Sequence, residues 1–339
     1  MNTSLLRYRG PSLSGGPCHY NISNTRNDHN LSHNIHGHLN RNIGNVSNSY
    51  NNTINVGTNE QSLRIQAWLS PLEPHRRHQD VSNRRLDDVG DWVLQTVEFK
   101  SWYKSQDGSG NPTLLCYGGQ GVGKTHIRYR RIFQISSAML TGKKISSLVI
   151  DTLCEQACGQ NIAVLSLYCD YQGQKDQSAV NMIGSLLRQV ALGAREIPNE
   201  IRDAFEGAGQ SGDKGLRLPD MLKLFLNVIS SSERVHICVD VVDELQPQDR
   251  SEFLRALRQI IQEAPNTRLF LTGRPHICGE VGRHFPEGAY SISIVANKGD
   301  IVRYLSRKMD DDNARDPDLM TEDLKNDIMK RMSEKASEM

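Results

Sequence analysis

Residues 113–125 read Thr-Leu-Leu-Cys-Tyr-Gly-Gly-Gln-Gly-Val-Gly-Lys-Thr, an apolar strand running straight into the pattern GxxxxGKT. Nothing else in the chain restricts its fold so strongly. The glycines let the backbone wrap close to an anion, and a helix must follow whose first N–H groups face that anion. A strand, a tight loop and a helix in that order form one half of a crossover unit, which commits the chain to a parallel sheet covered by helices. Lys124 supplies a point charge for the β and γ phosphates of a nucleoside triphosphate, and the Thr125 hydroxyl is suited to Mg²⁺. The expected nucleotide-binding residues are therefore Gly118, Gly119, Gln120, Gly121, Val122, Gly123, Lys124 and Thr125, with ATP or ADP and Mg²⁺ as cofactors.

The remaining pattern fits that commitment. Strands are expected at 113–117, 162–168, 235–240, 268–272 and 289–294, each a short apolar run bounded by turn residues. Helical periodicity separates them at 179–192, 218–230 and 251–263. A further helical stretch holding Trp92, Val93, Val97, Phe99 and Trp102 precedes the first strand. The fold class is α/β, a parallel sheet with helices on both faces.

Two later segments supply chemistry. Residues 235–244, Val-His-Ile-Cys-Val-Asp-Val-Val-Asp-Glu, form an apolar strand that ends in carboxylates. Asp240 is placed to hold Mg²⁺ through water, while Asp243 and Glu244 in the next turn are placed to orient or deprotonate an attacking water. Residues 268–275, Arg-Leu-Phe-Leu-Thr-Gly-Arg-Pro, deliver Arg274 to the same carboxyl edge, where α/β sheets bind ligands. An arginine there can sense or stabilise a γ phosphate.

Composition bounds the partners. Forty basic residues against thirty-nine acidic ones leave a formal charge of +1, so no global field points to nucleic acid or to an anionic membrane. The longest apolar runs are strand-length, far short of the ~20 residues of a membrane helix. No secretory signal opens the chain, so a cytoplasmic location is expected. Residues 1–60 hold five of the eleven His, and 13 Asn fall between Asn21 and Asn59, a composition expected to remain a disordered arm. Cys116, Cys154, Cys158, Cys169, Cys238 and Cys278 fall inside expected core elements and read as reduced thiols; no His or Cys pair lies near Cys154 and Cys158 to complete a zinc site.

The order of GxxxxGKT, Asp-x-x-Asp-Glu (240–244) and Thr-x-Arg (272–274) resembles the NACHT-type ATPases of the STAND class. Residues 86–102, with Val89-Gly90-Asp91-Trp92-Val93-Leu94 followed by Glu98-Phe99 and Trp102, together with Thr272-Gly273-Arg274-Pro275, are similar to the nephrocystin 3-like N-terminal module of fungal NLR-like proteins. Trp68-Leu69-Ser70-Pro71-Leu72-Glu73-Pro74 and the Asn-rich arm also look like those fungal chains. The resemblance implies a five-stranded core with the GxxxxGKT strand centrally placed. It further implies ATP/ADP exchange as a switch, hydrolysis that is at most slow, self-association on activation, and an unidentified protein ligand or effector. It brings Val89 and Gly90 toward the adenine. The implied division is an arm at 1–60, a helical lead-in at 61–112, the NTPase core at 113–296 and the start of a C-terminal helical region, cut short, at 297–339. A conventional P-loop ATPase, or a nucleotide-binding scaffold without turnover, remains the alternative.

One departure from that family stands out. Its members continue from GKT through one residue to Ile-Ser-Ser-Leu-Val-Ile-Asp, whereas here residues 127–144 intervene before Ile145-Ser146-Ser147-Leu148-Val149-Ile150-Asp151. The segment has the character of an unspliced intron carried in frame, or of a genuine insertion. Without it, Ile145, Leu148, Val149 and Leu153 lie at i, i+3, i+4 and i+8 of a helix that starts at the loop, one apolar stripe. With it, Tyr129, Ile132, Phe133 and Met139 offer a rival stripe interrupted by arginines, and only one can occupy the groove. Deleting residues 127–144 should therefore raise the melting temperature and tighten nucleotide binding. A deletion variant that melts lower, or binds ATP more weakly, would make the segment part of the fold.

Overall fold

The computed structural model describes residues 56–83, 90–105, 110–119, 142–194, 196–210, 215–294 and 322–336, with parts of 299–310. Residues 1–55 of the Asn-rich arm, Val89, and the run 120–141 that holds most of the GxxxxGKT loop and of the insertion lie outside them.

Five strands build the molecule: β1 (Thr113–Tyr117), β2 (Ile162–Tyr168), β3 (Arg234–Asp240), β4 (Thr267–Gly273) and β5 (Tyr290–Ser293). They pair in parallel in the order β2-β3-β4-β1-β5. β1 is interior, flanked by β4 and β5, but the middle strand is β4; the family resemblance had put β1 at the centre. β1, β2, β3 and β4 carry apolar side chains on both sides because each side meets a helical layer, whereas β5 exposes Ser291 and Ser293. Leu115, Leu165, Leu167, Val235, Ile237, Val239, Leu269 and Leu271 point into one core, while Leu114, Cys116, Cys238, Phe270 and Ile292 point into the other. Burying each such leucine or isoleucine contributes on the order of 2 kcal/mol, so the sheet is held from both faces.

On the second face lie α3 (Trp92–Gln95), α4 (Val97–Lys104) and α5 (Gly142–Ala157). The helix expected across 92–102 is broken at Thr96, whose extended backbone lets its hydroxyl accept the Phe99 N–H at 3.2 Å and cap α4. Phe99 and Trp102 then fall on one side of α4, and the fully buried Trp102 donates its indole N–H to the Pro112 carbonyl at 3.0 Å. His236 of β3 packs edge-on to Trp102 and stacks on Tyr103. Burial, with Arg234 and Arg268 nearby, pushes its pKa down to about 3, so the ring is neutral. α5 seats Ile145, Val149, Ile150 and Leu153 in the groove, with Leu148 only half-buried, so the residues that follow the insertion fill this seat.

On the first face lie α6 (Ala179–Gly193), α7 (Asn199–Gln210), α8 (Leu218–Ile229) and α9 (Pro247–Glu263), of which α7 has no counterpart among the expected helices. α1 (Val56–Leu69) begins inside the stretch expected to be a disordered arm. It buries Ile65 and Leu69 in this same core and sets Trp68 edge-on against Phe205 of α7. α2 (Pro74–Ser82) follows, and α10 (Cys278–His284) and α11 (Glu322–Ala336) come late in the chain. Cys158 is a correction to the expected buried thiols: α5 ends at Ala157, leaving Cys158 exposed in the turn beyond.

Where α1 ends, backbone meets backbone. A Cβ added at Gly184 of α6 would stand 2.0 Å from the Leu69 carbonyl oxygen. The same junction is tied by the Ser70 hydroxyl donating to the Asn181 carbonyl at 2.8 Å and by Arg188 donating to the Ser70 and Leu72 carbonyls at 3.2 Å. Alanine gains about 1 kcal/mol of helix propensity over glycine, but a contact this short with backbone forces α1 off α6 at a cost of about 1–3 kcal/mol or more. Gly184→Ala should therefore lower the melting temperature measured by circular dichroism. A variant that melts at or above the parent would show that α1 does not pack this closely.

Candidate functional site

The parallel registers bring four strand ends to one edge. Tyr117 pairs with Gly273, and Tyr168 pairs with Asp240, so β1, β2, β3 and β4 finish together. Gly118 then donates its N–H to the Gly273 carbonyl at 3.2 Å, while Ile294 N–H returns to the Tyr117 carbonyl at 2.7 Å. A Cβ at Gly118 would stand 2.9 Å from the Ile294 carbonyl oxygen, so only glycine lets the chain leave β1 between its two neighbours. Gly119 follows, exposed. Gln120, Gly121, Val122, Gly123, Lys124 and Thr125 lie outside the described residues.

Asp240 ends β3 and is 1% exposed. Its Oδ1 accepts two hydroxyls, Ser146 Oγ of α5 at 2.5 Å and Thr272 Oγ1 of β4 at 2.7 Å. The next residue, Val241, has φ 53°, a left-handed conformation that is strained for a β-branched side chain. Its N–H donates to Thr272 Oγ1 at 2.8 Å. Strain of this kind persists only where the surroundings over-determine it, and it concentrates at functional sites. Here it turns the chain sharply off β3 into a short 3₁₀ turn, Val242–Glu244.

That turn carries the other two carboxylates, and they are used differently. Asp243 has no side-chain exposure; its Oδ1 accepts the backbone N–H of Arg274 at 3.0 Å, and its Oδ2 lies 3.3 Å from the Arg274 guanidinium. Arg274 itself remains 41% exposed. Glu244 is half-buried, and its carbonyl accepts the Gln174 side-chain N–H at 2.6 Å. Arg250 of α9 braces the turn from behind, donating to the Asp243 and Leu245 carbonyls at 3.4 and 3.0 Å while paired with Glu280 at 2.9 Å.

The helical lead-in reaches the same edge. Gly90, at φ 95°, donates its N–H to the buried carboxylate of Asp300 at 3.1 Å. A Cβ at Gly90 would lie 3.6 Å from Ile145 and 3.7 Å from Leu148, so this glycine sits beside the first turns of α5. In α2, His78 contacts the Tyr168 hydroxyl at 2.6 Å through Nδ1 and Asp151 of α5 at 2.9 Å through Nε2. Arg77 pairs with Asp170 at 3.0 Å just past β2.

The structure thus gathers Gly118, Gly119, Asp240, Asp243, Glu244 and Arg274 at one edge, with Gly90 beside α5. Sequence reasoning missed the hydroxyls of Ser146 and Thr272 and the left-handed Val241. Thr272 stood within the Thr-x-Arg pattern, but its bond to Asp240 depends on β4 lying next to β3. Among the described residues, no group of three or more His, Cys, Asp or Glu is arranged to hold a metal by itself. The Asp240 carboxylate and the two hydroxyls bonded to it, Ser146 Oγ and Thr272 Oγ1, are oxygens, the donor chemistry of Mg²⁺, a cation usually held by one or two carboxylates plus substrate phosphates.

Comparison with known proteins adds the following. No curated protein sequence matches the chain. Solved structures similar to the chain include the Aeropyrum pernix ORC1 protein in complex with DNA and the Drosophila ORC bound to GC-rich DNA and Cdc6. The first is 16% identical at a TM-score of 0.33, with 73% of this chain covering 53% of that one. The second is 10% identical at a TM-score of 0.35, with 81% of this chain covering 38% of that one. The chain therefore spans only part of either protein, and superposition at this level says nothing about function. The family model for nephrocystin 3, N-terminal, matches residues 88–274, just over half of the chain. The chain belongs to the nephrocystin 3 N-terminal family and carries a P-loop NTPase-like, nucleotide-binding domain.

Proposed function

We propose that this domain is a STAND-type nucleotide switch of the NACHT kind, part of a fungal NLR-like receptor for immune or self recognition. In this reading it exchanges ADP for ATP, hydrolyses ATP slowly if at all, and signals by self-association in the cytoplasm with a protein ligand or effector. The observation that carries it is the convergence of Gly118, Asp240, Glu244 and Arg274 on one sheet edge. Within it, the residue suited to sensing phosphate is tied to a buried carboxylate of the same protein.

Each group has a role there. Residues Gly118–Thr125 would wrap the phosphates, with Lys124 as their counter-charge and Val89 and Gly90 near the base. Asp240 and Thr125 would hold Mg²⁺, which neutralises phosphate charge when bound. Glu244 is the better candidate to orient or deprotonate a water, because Asp243 already spends its carboxylate on Arg274. Asp243 holds the Arg274 loop, and a γ phosphate would compete with it for the guanidinium. That competition gives two positions of the loop, the requirement of a switch.

The scaffold reading also has an observation behind it. In the sequence, residues 127–144 separate Lys124 and Thr125 from Ile145, Val149, Ile150 and Leu153, which pack in the second core. An insertion directly behind the phosphate loop is compatible with nucleotide that is bound weakly and never turned over.

Two substitutions separate these readings. Lys124→Ala removes the charge at the β and γ phosphates without touching the core, and ATP binding measured by calorimetry should disappear. An unchanged affinity would end the nucleotide-binding assignment of the loop. Glu244→Gln should keep ATP affinity within about twofold while slowing hydrolysis by about a hundredfold or more, the scale of a lost general base. Turnover at the parent rate would remove Glu244 from catalysis.

A further inference from the structure

Thr272 is fully buried at the carboxyl end of β4, and its hydroxyl has two close neighbours, the Val241 N–H and the Asp240 carboxylate, with the Ser146 hydroxyl a third at 3.5 Å. The backbone N–H of Val241 can only donate, so at 2.8 Å Thr272 Oγ1 accepts from it. The carboxylate of Asp240 can only accept when ionised, so the Thr272 proton points to Oδ1 at 2.7 Å. The direction of each bond is therefore settled by its partner. Ser146 Oγ of α5 adds a second donor to the same Oδ1.

Two further features give this chain of bonds weight. It ends on the N–H of Val241, the only residue other than glycine with a positive φ among those described. A single hydroxyl thus holds both the strained bend after β3 and the side chain just before it. The carboxylate it orients is also the one expected to face Mg²⁺, and it is 1% exposed. Hydrogen bonds to charged groups are the strong ones, and a ligand fixed in advance binds metal better than one that must be ordered first.

We infer that Thr272, seconded by Ser146, is a positioning residue for Mg²⁺-dependent nucleotide binding: its hydroxyl presets the Asp240 carboxylate and the Val241 bend. The inference rests on the nucleotide-binding reading above and assigns it a residue outside the GxxxxGKT loop. Thr272→Val keeps the volume and removes the hydroxyl; Thr272→Ser keeps the hydroxyl. The free protein provides the first readout, amide hydrogen exchange across residues 238–245. Exchange there should be about tenfold faster in Thr272→Val and near the parent rate in Thr272→Ser, since only valine removes the acceptor of the Val241 N–H.

The second readout is the affinity for ATP over a Mg²⁺ series and in EDTA. Thr272→Val should need about tenfold more Mg²⁺ for the same enhancement while its affinity in EDTA stays within about twofold of the parent, and Thr272→Ser should restore the parent's dependence. If Thr272→Val fails to fold, Ser146→Ala takes its place and should shift the Mg²⁺ dependence in the same direction. Unchanged exchange in Thr272→Val overturns the proposal whether or not nucleotide binds. So does an unchanged Mg²⁺ dependence, or an equal loss with and without Mg²⁺. A parent that binds no ATP in either condition overturns the nucleotide reading, and the exchange result then decides the positioning role separately.

Discussion

The parallel pairing of β3 with β4 is the constraint on which the site depends. It sets Asp240 beside Thr272 and carries both strands out at the same edge, so the turn after β3 and the loop after β4 must share one small volume. Everything polar at that edge follows from this sharing. The Val241 N–H finds the Thr272 hydroxyl, and Asp243 finds the backbone and guanidinium of Arg274. β1 joins on the far side of β4 and sends Gly118 between Gly273 and Ile294, where a side chain has no room. A one-residue slip of either register would turn every core side chain to the wrong face, so two apolar layers lock the geometry of the polar edge.

The second dependence is on what covers the sheet behind that edge. In a fold of this type the helix after the phosphate loop both packs on the sheet and presents its N-terminus to the anion. Here the packing half of that task belongs to α5, whose Ile145, Val149, Ile150 and Leu153 fill the groove and whose Ser146 touches Asp240. The loop residues that would contact phosphate precede it by the length of the insertion. The lead-in braces α5 from outside: His78 and Ser82 of α2 contact Asp151, and a Cβ at Gly90 would meet Ile145 and Leu148.

Much of this was legible in the sequence, for physical reasons that also mark where legibility ended. β1 and β2 were bounded to the residue, and the other strands to within one residue, because β1 to β4 read as near-continuous apolar runs and β5 as an alternation of Tyr290 and Ile292 with serines. α7 was missed because Ile201, Ala204 and Phe205 make only a short stripe in a segment that also carries Gly207 and Gly209. The break at Thr96 was missed because apolar spacing continues across it, and only the cap shows the helix restarting. The site was legible as residue types at strand ends. The pairing of Asp243, and not Glu244, with Arg274 was not, since it depends on which neighbour each carboxylate meets. Nor was the bend at Val241, a residue whose own preference argues against that conformation.

The central claim is that this edge holds a nucleotide, and the most direct measurement is the nucleotide content of the purified 339-residue protein. The protein would be denatured, the released small molecules separated by chromatography, and bound nucleotide counted per chain before and after incubation with ATP and Mg²⁺. A switch of this kind should release ADP as isolated and saturate at about one nucleotide per chain after incubation, with slow exchange between the two. No nucleotide in either sample, with no saturation at millimolar ATP, would contradict the account.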